Sequence, residues 1–235
     1  MSNQLQEIDV VKLKKLKETF QGMEDHGIHI SMAVHLYEAV ENDNVDGFNS
    51  NLEQVKQVTA SGNSVLHKSA SFGSKNIAKL IIDKFPFFLT RRNVLGDTAL
   101  HVAIKARKFD VMEVLIDDNV NDREQLLEMK NNVGNTALHE AVIAQCVGAV
   151  QDLFSRHKKV SNYLNDGGES PLCLAIETEN IEILELLLEA PYGGLIERPR
   201  KESPVHVAIF MKRLGTISPN FLPFYFTYIL ILFMF

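Results

Sequence analysis

Cysteine is scarce in this sequence of 235 residues, which contains only Cys146 and Cys173. A small domain held together by disulfides needs a dense set of cysteines, so that class of protein is excluded. The pair could form one disulfide. Two reduced thiols in an intracellular protein are the better interpretation, because no cysteine framework surrounds them.

Positive charge is not in surplus either. Lysine and arginine number 24 against 30 aspartates and glutamates, which gives a formal net charge of −6 at pH 7. Binding a phosphate backbone needs clustered basic residues, so the sequence predicts no nucleic-acid partner. A short basic run from Lys12 to Lys17 is only a weak signal for an anionic lipid surface, because Glu18 follows it.

Signals for secretion and for catalysis are also missing. The first residues lack the basic stretch and apolar stretch of a secretory signal, so we expect the first two thirds of the chain on the cytosolic side. No Gly-x-Ser-x-Gly elbow, Walker loop, His-Glu-x-x-His or Cys-x-x-Cys pattern occurs. The sequence therefore predicts a protein that is not an enzyme and that needs no cofactor.

What the sequence does contain is a four-residue pattern that recurs five times. Its aliphatic third positions are separated by 34, 38, 34 and 33 residues. Each copy opens with Ser or Thr, whose hydroxyl can accept a hydrogen bond from the first turn of a helix. Proline follows in two copies, as suits the first helical position. The motif residues are Ser64, Leu66 and His67; Thr98, Leu100 and His101; Thr136, Leu138 and His139; Ser170, Pro171 and Leu172; and Ser203, Pro204 and His206.

A second apolar segment follows the motif in the first four copies. Apolar residues stand eleven positions after the aliphatic one, at Ile77, Val111, Ala149 and Ile183, and again four and five positions later. This spacing puts them on one face of a second helix. Each unit is thus predicted to be a turn followed by two helices, and the units must stack because one alone cannot bury that face.

The pattern resembles the ankyrin repeat, which has a period of about 33 residues and the marker Thr-Pro-Leu-His. The resemblance covers residues 61–209 and implies an all-α ankyrin-repeat solenoid of about five helix-turn-helix units, followed here by a C-terminal apolar helix. The glycine that the family has between the two helices is kept only at Gly73. Arg107, Gln145 and Glu179 replace it, and Cys173 replaces one motif histidine.

Some details are similar to plant ankyrin proteins of the accelerated-cell-death type. The residues concerned are 36–40, 96–103, 168–172 and 193–196. In that family a cytosolic ankyrin array precedes several transmembrane helices, and its members are linked to defence and cell-death signalling at membranes. The resemblance implies a related role, although an apolar tail follows Phe210 where the family has its membrane domain.

Three regions are predicted: a leader at 1–30 that forms a loosely held amphipathic helix, an ankyrin-repeat domain at 31–212, and a hydrophobic tail at 213–235. The domain divides into a degenerate cap at 31–60, repeats near 61–92, 93–130, 131–164 and 165–198, and a partial repeat at 199–212. The longer second repeat contains an insert around Asp117 to Met129. It is either a binding loop or, as we favour, a longer second helix with Leu126, Leu127 and Met129 packed.

The side chains predicted to bind a partner protein lie at two places in each unit. Those at the turn tips are Asn63, Asp97, Asn135 and Glu169, and those on the inner helices are Lys68, Lys105 and Glu140. A turn-forming role alone would account for the first set. The motif histidines are one repeat apart, so they form a row and do not converge on a metal ion, whose ligands lie about 2 Å away.

The tail decides the predicted location. Residues 217–235 approach the roughly 20 apolar residues of a membrane-spanning helix, although Pro219, Asn220 and Pro223 weaken the first part. Lys212 and Arg213 precede it as a cytosolic flank would. We expect a protein-interaction scaffold in plant stress or defence signalling, held at a membrane with its repeats in the cytosol. The alternative is a soluble cytoplasmic adaptor, or a truncated isoform that regulates full-length relatives.

Overall fold

A computed structural model describes residues 32–117, 120, 123–178 and 180–188. The predicted leader at 1–30, the fifth motif with Ser203, Pro204 and His206, and the tail with its predicted apolar helix lie outside these residues. The chain divides into two compact units, Met1–Asn132 and Val133–Phe235.

The first unit consists of helical pairs. Its helices are α1 Val34–Glu41, α2 Val45–Ser50, α3 Val65–Phe72, α4 Lys75–Lys84, α5 Ala99–Lys105, α6 Phe109–Leu115 and α7 Arg123–Glu128, with short 3₁₀ helices at Leu52–Gln54 and Pro86–Phe88. The inner helices α1, α3 and α5 pack side by side, and the outer helices α2, α4 and α6 pack in a second row. Consecutive pairs therefore stack in parallel.

The second unit repeats this arrangement. Its helices are α8 Ala137–Ile143, α9 Val147–Arg156, α10 Pro171–Glu177 and α11 Ile181–Leu188, with a 3₁₀ helix at Lys158–Asn162. Inner helices α8 and α10 pack together, and so do outer helices α9 and α11. Every regular element in the described part of the chain is helical, which confirms the predicted all-α class.

The recurring motif marks where the inner helices begin. Helices α3, α5, α8 and α10 start at the residue after Ser64, Thr98, Thr136 and Ser170. The aliphatic positions Leu66, Leu100 and Leu138 are at most 1% exposed, whereas Leu172 is half-buried. The outer-helix positions Ile77, Val111, Ala149 and Ile183 are buried as well. The core thus lies between the two rows of helices in each unit.

Helices α1 and α2 form the first pair among the described residues, with Leu36, Val40 and Phe48 fully buried. The Asp43 carboxylate accepts hydrogen bonds from the N–H groups of Asn76 and Ile77, at 3.2 and 2.9 Å. An aspartate of the first pair therefore caps helix α4 of the next pair. This contact ties the first pair to the repeat that follows.

The insert of the second repeat does not lengthen the second helix, contrary to the prediction from the sequence. Helix α6 ends at Leu115, and the added residues contain the separate helix α7. Leu126 and Leu127 are nonetheless buried, at 0% and 1% exposure. They stand five and four residues before Asn131, where Phe88 and Leu89 stand before Asn93. A separate helix returns this apolar pair to the same depth in the core as its counterpart.

Candidate interaction surface

The motif histidine of the first repeat joins two successive turns. Nδ1 of His67 lies 2.8 Å from the Ser64 hydroxyl and accepts from the Ser64 N–H at 3.3 Å, while the hydroxyl caps helix α3. Because Nδ1 accepts, Nε2 carries the proton and donates to the Asp97 carbonyl oxygen at 2.9 Å. Burial lowers the pKa of His67 to about 4, so the imidazole is neutral at pH 7.

The same arrangement recurs at the next two motifs. Nδ1 of His101 and Nδ1 of His139 each lie 2.8 Å from the hydroxyl that opens their helix, at Thr98 and Thr136. In the second unit, Nε2 of His139 lies 3.2 Å from the Glu169 carbonyl oxygen. Each histidine thus uses its ring nitrogens in hydrogen bonds that hold the start of its own helix and, for His139, the next turn. Across the residues the structure describes, no group of three or more His, Cys, Asp or Glu side chains could hold a metal ion.

A set of asparagines that sequence reasoning missed ties the turns together. The Nδ2 groups of Asn93, Asn131 and Asn165 donate to the Oδ1 atoms of Asn63, Asp97 and Asn135, at 2.8, 3.0 and 3.1 Å. We call these six residues the turn ladder. The sequence signal is an asparagine four residues before the polar turn residue in three repeats, which by itself is typical of any loop.

Backbone hydrogen bonds follow the same path. The Val94 N–H donates to the Ser61 carbonyl oxygen at 3.1 Å, and the Asn132 N–H to that of Leu95 at 3.0 Å. In the second unit the Asp166 N–H donates to the Val133 carbonyl oxygen at 3.1 Å. Within each unit, neighbouring turns are therefore held by both side chains and main chain, which makes the tips an ordered surface.

The structure uses most of the predicted turn-tip side chains internally. Asp97 is 2% exposed and Asn135 6%, while Asn63 and Glu169 are half-buried. Glu140, predicted on the inner-helix surface, is 7% exposed and accepts from Nδ2 of Asn135 at 3.0 Å. A role for these residues in contacting a partner stays a prediction.

The two predicted lysines lie on helices α3 and α5 of the first unit. The Lys68 ammonium lies 4.7 Å from the Tyr37 ring centre and 4.3 Å from that of Phe72, and the two rings meet edge to face. The Lys105 ammonium lies 2.8 and 2.9 Å from the two carboxylate oxygens of Asp97. Both ammonium groups are therefore fixed in place by contacts within the chain.

Comparison with known proteins places this geometry in a family. The family model for ankyrin repeats matches three times, at residues 36–125, 91–163 and 123–200. The chain belongs to the ankyrin-repeat family. Ankyrin repeats generally mediate protein–protein interaction, and their stacked units offer extended surfaces for it. This chain is therefore a protein-interaction module.

Three relatives illustrate the range of the similarity. Human neurogenic locus notch homolog protein 1 is 27% identical over 152 residues, which is 65% of this chain and 6% of the relative. Mouse B-cell lymphoma 3 protein homolog is 34% identical over 93 residues, 40% of this chain and 20% of the relative. Protein ACCELERATED CELL DEATH 6 of Arabidopsis thaliana is 26% identical over 189 residues, 71% of this chain and 28% of the relative. The matched region is a minor part of each relative.

Crossing a membrane requires a helix of sufficient length and apolarity. Among the helices from α1 to α11, none is long and apolar enough to cross a bilayer. The predicted anchor at 217–235 lies outside this set.

Proposed function

We propose that this chain is a protein-interaction scaffold of plant stress or defence signalling that works at a membrane. The observation that most supports a partner-contact surface is the fixed position of two lysines, Lys68 and Lys105. They lie on neighbouring inner helices that pack together. Side chains already ordered before binding lose less conformational entropy when a partner docks. The similarity to ACCELERATED CELL DEATH 6, over 71% of this chain, supports the plant defence setting.

The predicted contact residues divide into two roles in this proposal. In the first unit, Lys68, Lys105 and the half-buried tip Asn63 meet a partner directly, and in the second unit the half-buried tip Glu169 does so. The buried residues Asp97, Asn135 and Glu140 position other side chains. Asp97 binds the Lys105 ammonium group, and in the second unit Asn135 donates a hydrogen bond to Glu140. A partner segment carrying carboxylates would complement the two ammonium groups.

Affinity capture with a charge variant tests the contact surface. The full chain and its Lys68→Ala variant would be used to capture proteins from plant membranes under identical conditions. Lys79→Ala is the matched control, because Lys79 is an exposed lysine on outer helix α4. A partner that is retained by the control and lost by Lys68→Ala supports the proposal. Equal capture by all three chains would remove Lys68 from the contact surface.

Residues 217–235 provide the membrane contact in this proposal, with the repeats in the cytosol. A reporter-tagged chain would be expressed in plant cells and its membranes washed with alkaline carbonate. Retention in the pellet supports an integral anchor. Complete release would favour the alternative, a soluble cytoplasmic adaptor or a truncated isoform that regulates full-length relatives. The isoform reading further requires that the chain compete with such a relative for its captured partner.

A further inference from the structure

An exposed aromatic segment follows helix α4. Phe85, Pro86 and Phe87 form what we call the aromatic tip, in which Phe87 is 52% exposed, Pro86 is exposed and Phe85 is half-buried. The Phe87 ring stacks obliquely on Phe88, 4.3 Å between centres, and the Phe85 ring lies 6.3 Å from each. Phe88 itself is fully buried. The tip is thus an apolar projection that is rooted in the core through one phenylalanine.

Comparison with the other repeats shows that Phe87 stands at a position that faces solvent. Counting back six residues from the ladder asparagines Asn93, Asn131 and Asn165 gives Phe87, Gln125 and Lys159, and all three are exposed. The following residues, Phe88, Leu126 and Val160, are all buried. The register is therefore shared, and two of the three repeats place a polar side chain where the first places a phenylalanine. The described ring contacts of Phe87 are with its own neighbours Phe85 and Phe88, and they leave Phe87 52% exposed.

Basic residues flank the aromatic tip. Lys84 precedes it and donates to Oδ1 of Asn49 at 3.0 Å, while the Arg91 guanidinium lies 5.9 Å from the Phe88 ring centre. Arg92 donates to the carbonyl oxygens of Gly96 and Lys130. Within the described residues, none of these three cations forms an ion pair with a carboxylate. Asp83 is the neighbouring acidic residue in the sequence, so the segment from 83 to 92 keeps a net positive charge.

We propose that the aromatic tip enters the headgroup region of an anionic bilayer. Aromatic side chains favour the membrane interface, and lysine or arginine near them adds attraction to anionic lipids. Phe85 and Phe87 would reach the acyl boundary while Lys84 and Arg91 remain among the headgroups. The partners of these cations among the described residues are neutral or aromatic, which leaves their charge available to lipid phosphates. This inference rests on the proposed membrane location and adds a contact made by the repeats themselves.

The absence of tryptophan from the sequence makes a direct test possible. Phe87→Trp gives the full chain a single tryptophan at the aromatic tip. Leu95→Trp is the matched control, because Leu95 is a similarly exposed apolar residue, at 62%, on a turn of the same unit. Both chains would be synthesised in the presence of vesicles of phosphatidylcholine, with or without phosphatidylserine. Tryptophan emission and its quenching by brominated lipids are the readouts, and circular dichroism checks that both variants fold.

In vesicles with phosphatidylserine, we expect the Phe87→Trp emission to shift to shorter wavelength and to be quenched, and the Leu95→Trp emission to stay unchanged. Adding Lys84→Gln should weaken the apparent partition of the tip about fivefold, the effect of one basic residue near an anionic surface. No quenching of Phe87→Trp, equal quenching of both reporters, or equal quenching without phosphatidylserine would each overturn the inference. Retention of the wild-type chain on the vesicles after an alkaline carbonate wash reads the tail separately, so the inference can fail while the proposed membrane location stands.

Discussion

Lys105 and Asp97 form a two-point ion pair in which the carboxylate is buried and the ammonium is not. The ammonium nitrogen lies 2.8 and 2.9 Å from the two oxygens, and the side chains are 38% and 3% exposed. Nδ2 of Asn131 adds a hydrogen bond to the same carboxylate at 3.0 Å. The pair therefore links an inner helix, its own turn and the following turn of the ladder.

Removing the lysine should destabilise the first unit. Lys105→Met leaves the buried Asp97 charge without its cation, and we expect the free energy of unfolding to fall by about 1–3 kcal/mol. Lys75→Met is the control, because the Lys75–Glu113 pair is separated by 4.0 Å and both side chains are at least half exposed. That control should change stability by less than about 0.5 kcal/mol. Urea denaturation measures both, and equal effects would contradict the importance of the buried pair.

The neutral His67 makes folding sensitive to acid. In the folded chain its pKa is about 4 because of burial, against 6.5 for an ordinary histidine. As the pH falls, the unfolded chain binds this proton first. The contribution of the neutral His67 to the free energy of unfolding is therefore fully present above pH 6.5, and it is lost as the pH falls from 6.5 to 4. The decline due to His67 is about 3 kcal/mol, at roughly 1.4 kcal/mol per pKa unit.

Denaturation of wild type and His67→Gln at pH 7 and pH 4 measures this contribution. The variant should be less stable at pH 7, since it loses the bond to the Asp97 carbonyl, but it should lose about 3 kcal/mol less than wild type on acidification. His35→Gln is the control, because the His35 side chain is 84% exposed. Parallel pH dependence in wild type and His67→Gln would refute the assignment.

The helix starts and the row of histidines could be predicted because their causes are local. The hydroxyl at Thr98 and the imidazole at His101 stand three residues apart and satisfy the same helix end, so the pattern repeats wherever the structure does. The buried apolar positions followed from helical spacing for the same reason.

The turn ladder and the burial of the charged residues could not be predicted in this way. In the sequence, Asn131 looks like an ordinary loop residue. Only the structure shows that its side-chain amide donates a hydrogen bond to Asp97, 34 residues earlier in the chain. Charged side chains are usually exposed, so the sequence places Asp97 in its turn and Glu140 on its inner helix at the partner surface, yet they are only 2% and 7% exposed. The burial of Asp97 depends in part on Asn131 of the following repeat, a contact that a single repeat sequence does not contain.

The junctions between paired helices offer a test of backbone strain. Gln145 adopts a φ of 53° at the position where Gly73 has 89°, and a side chain in this left-handed region is unfavourable. Gln145→Gly should raise the free energy of unfolding by about 0.5–1 kcal/mol, because relief of strain exceeds both the entropy of glycine and one exposed hydrogen bond to Thr178 at 3.3 Å.

Asp43 provides the matched contrast. It has a φ of 49° in the first pair, yet its carboxylate caps helix α4 through Asn76 and Ile77. Asp43→Gly relieves the same backbone strain but removes this cap, which is worth about 0.5–2 kcal/mol, so we expect a loss of stability. Thermal unfolding of both variants decides the matter. A gain in both would show that the cap contributes little.

Gly96 and Gly148 should respond to alanine in opposite directions. Gly96 has a φ of 74° at a turn tip, and an added Cβ there would collide with Oδ1 of Asn132 and approach its backbone nitrogen to 2.7 Å. Gly96→Ala should therefore lower the free energy of unfolding by about 1–3 kcal/mol. Gly148 lies inside helix α9 with nothing within 4 Å of an added Cβ, so Gly148→Ala should raise it by about 0.5–1 kcal/mol. Urea denaturation measures both changes. A Gly96→Ala chain as stable as wild type would mean that the turns are not held against each other as the ladder requires.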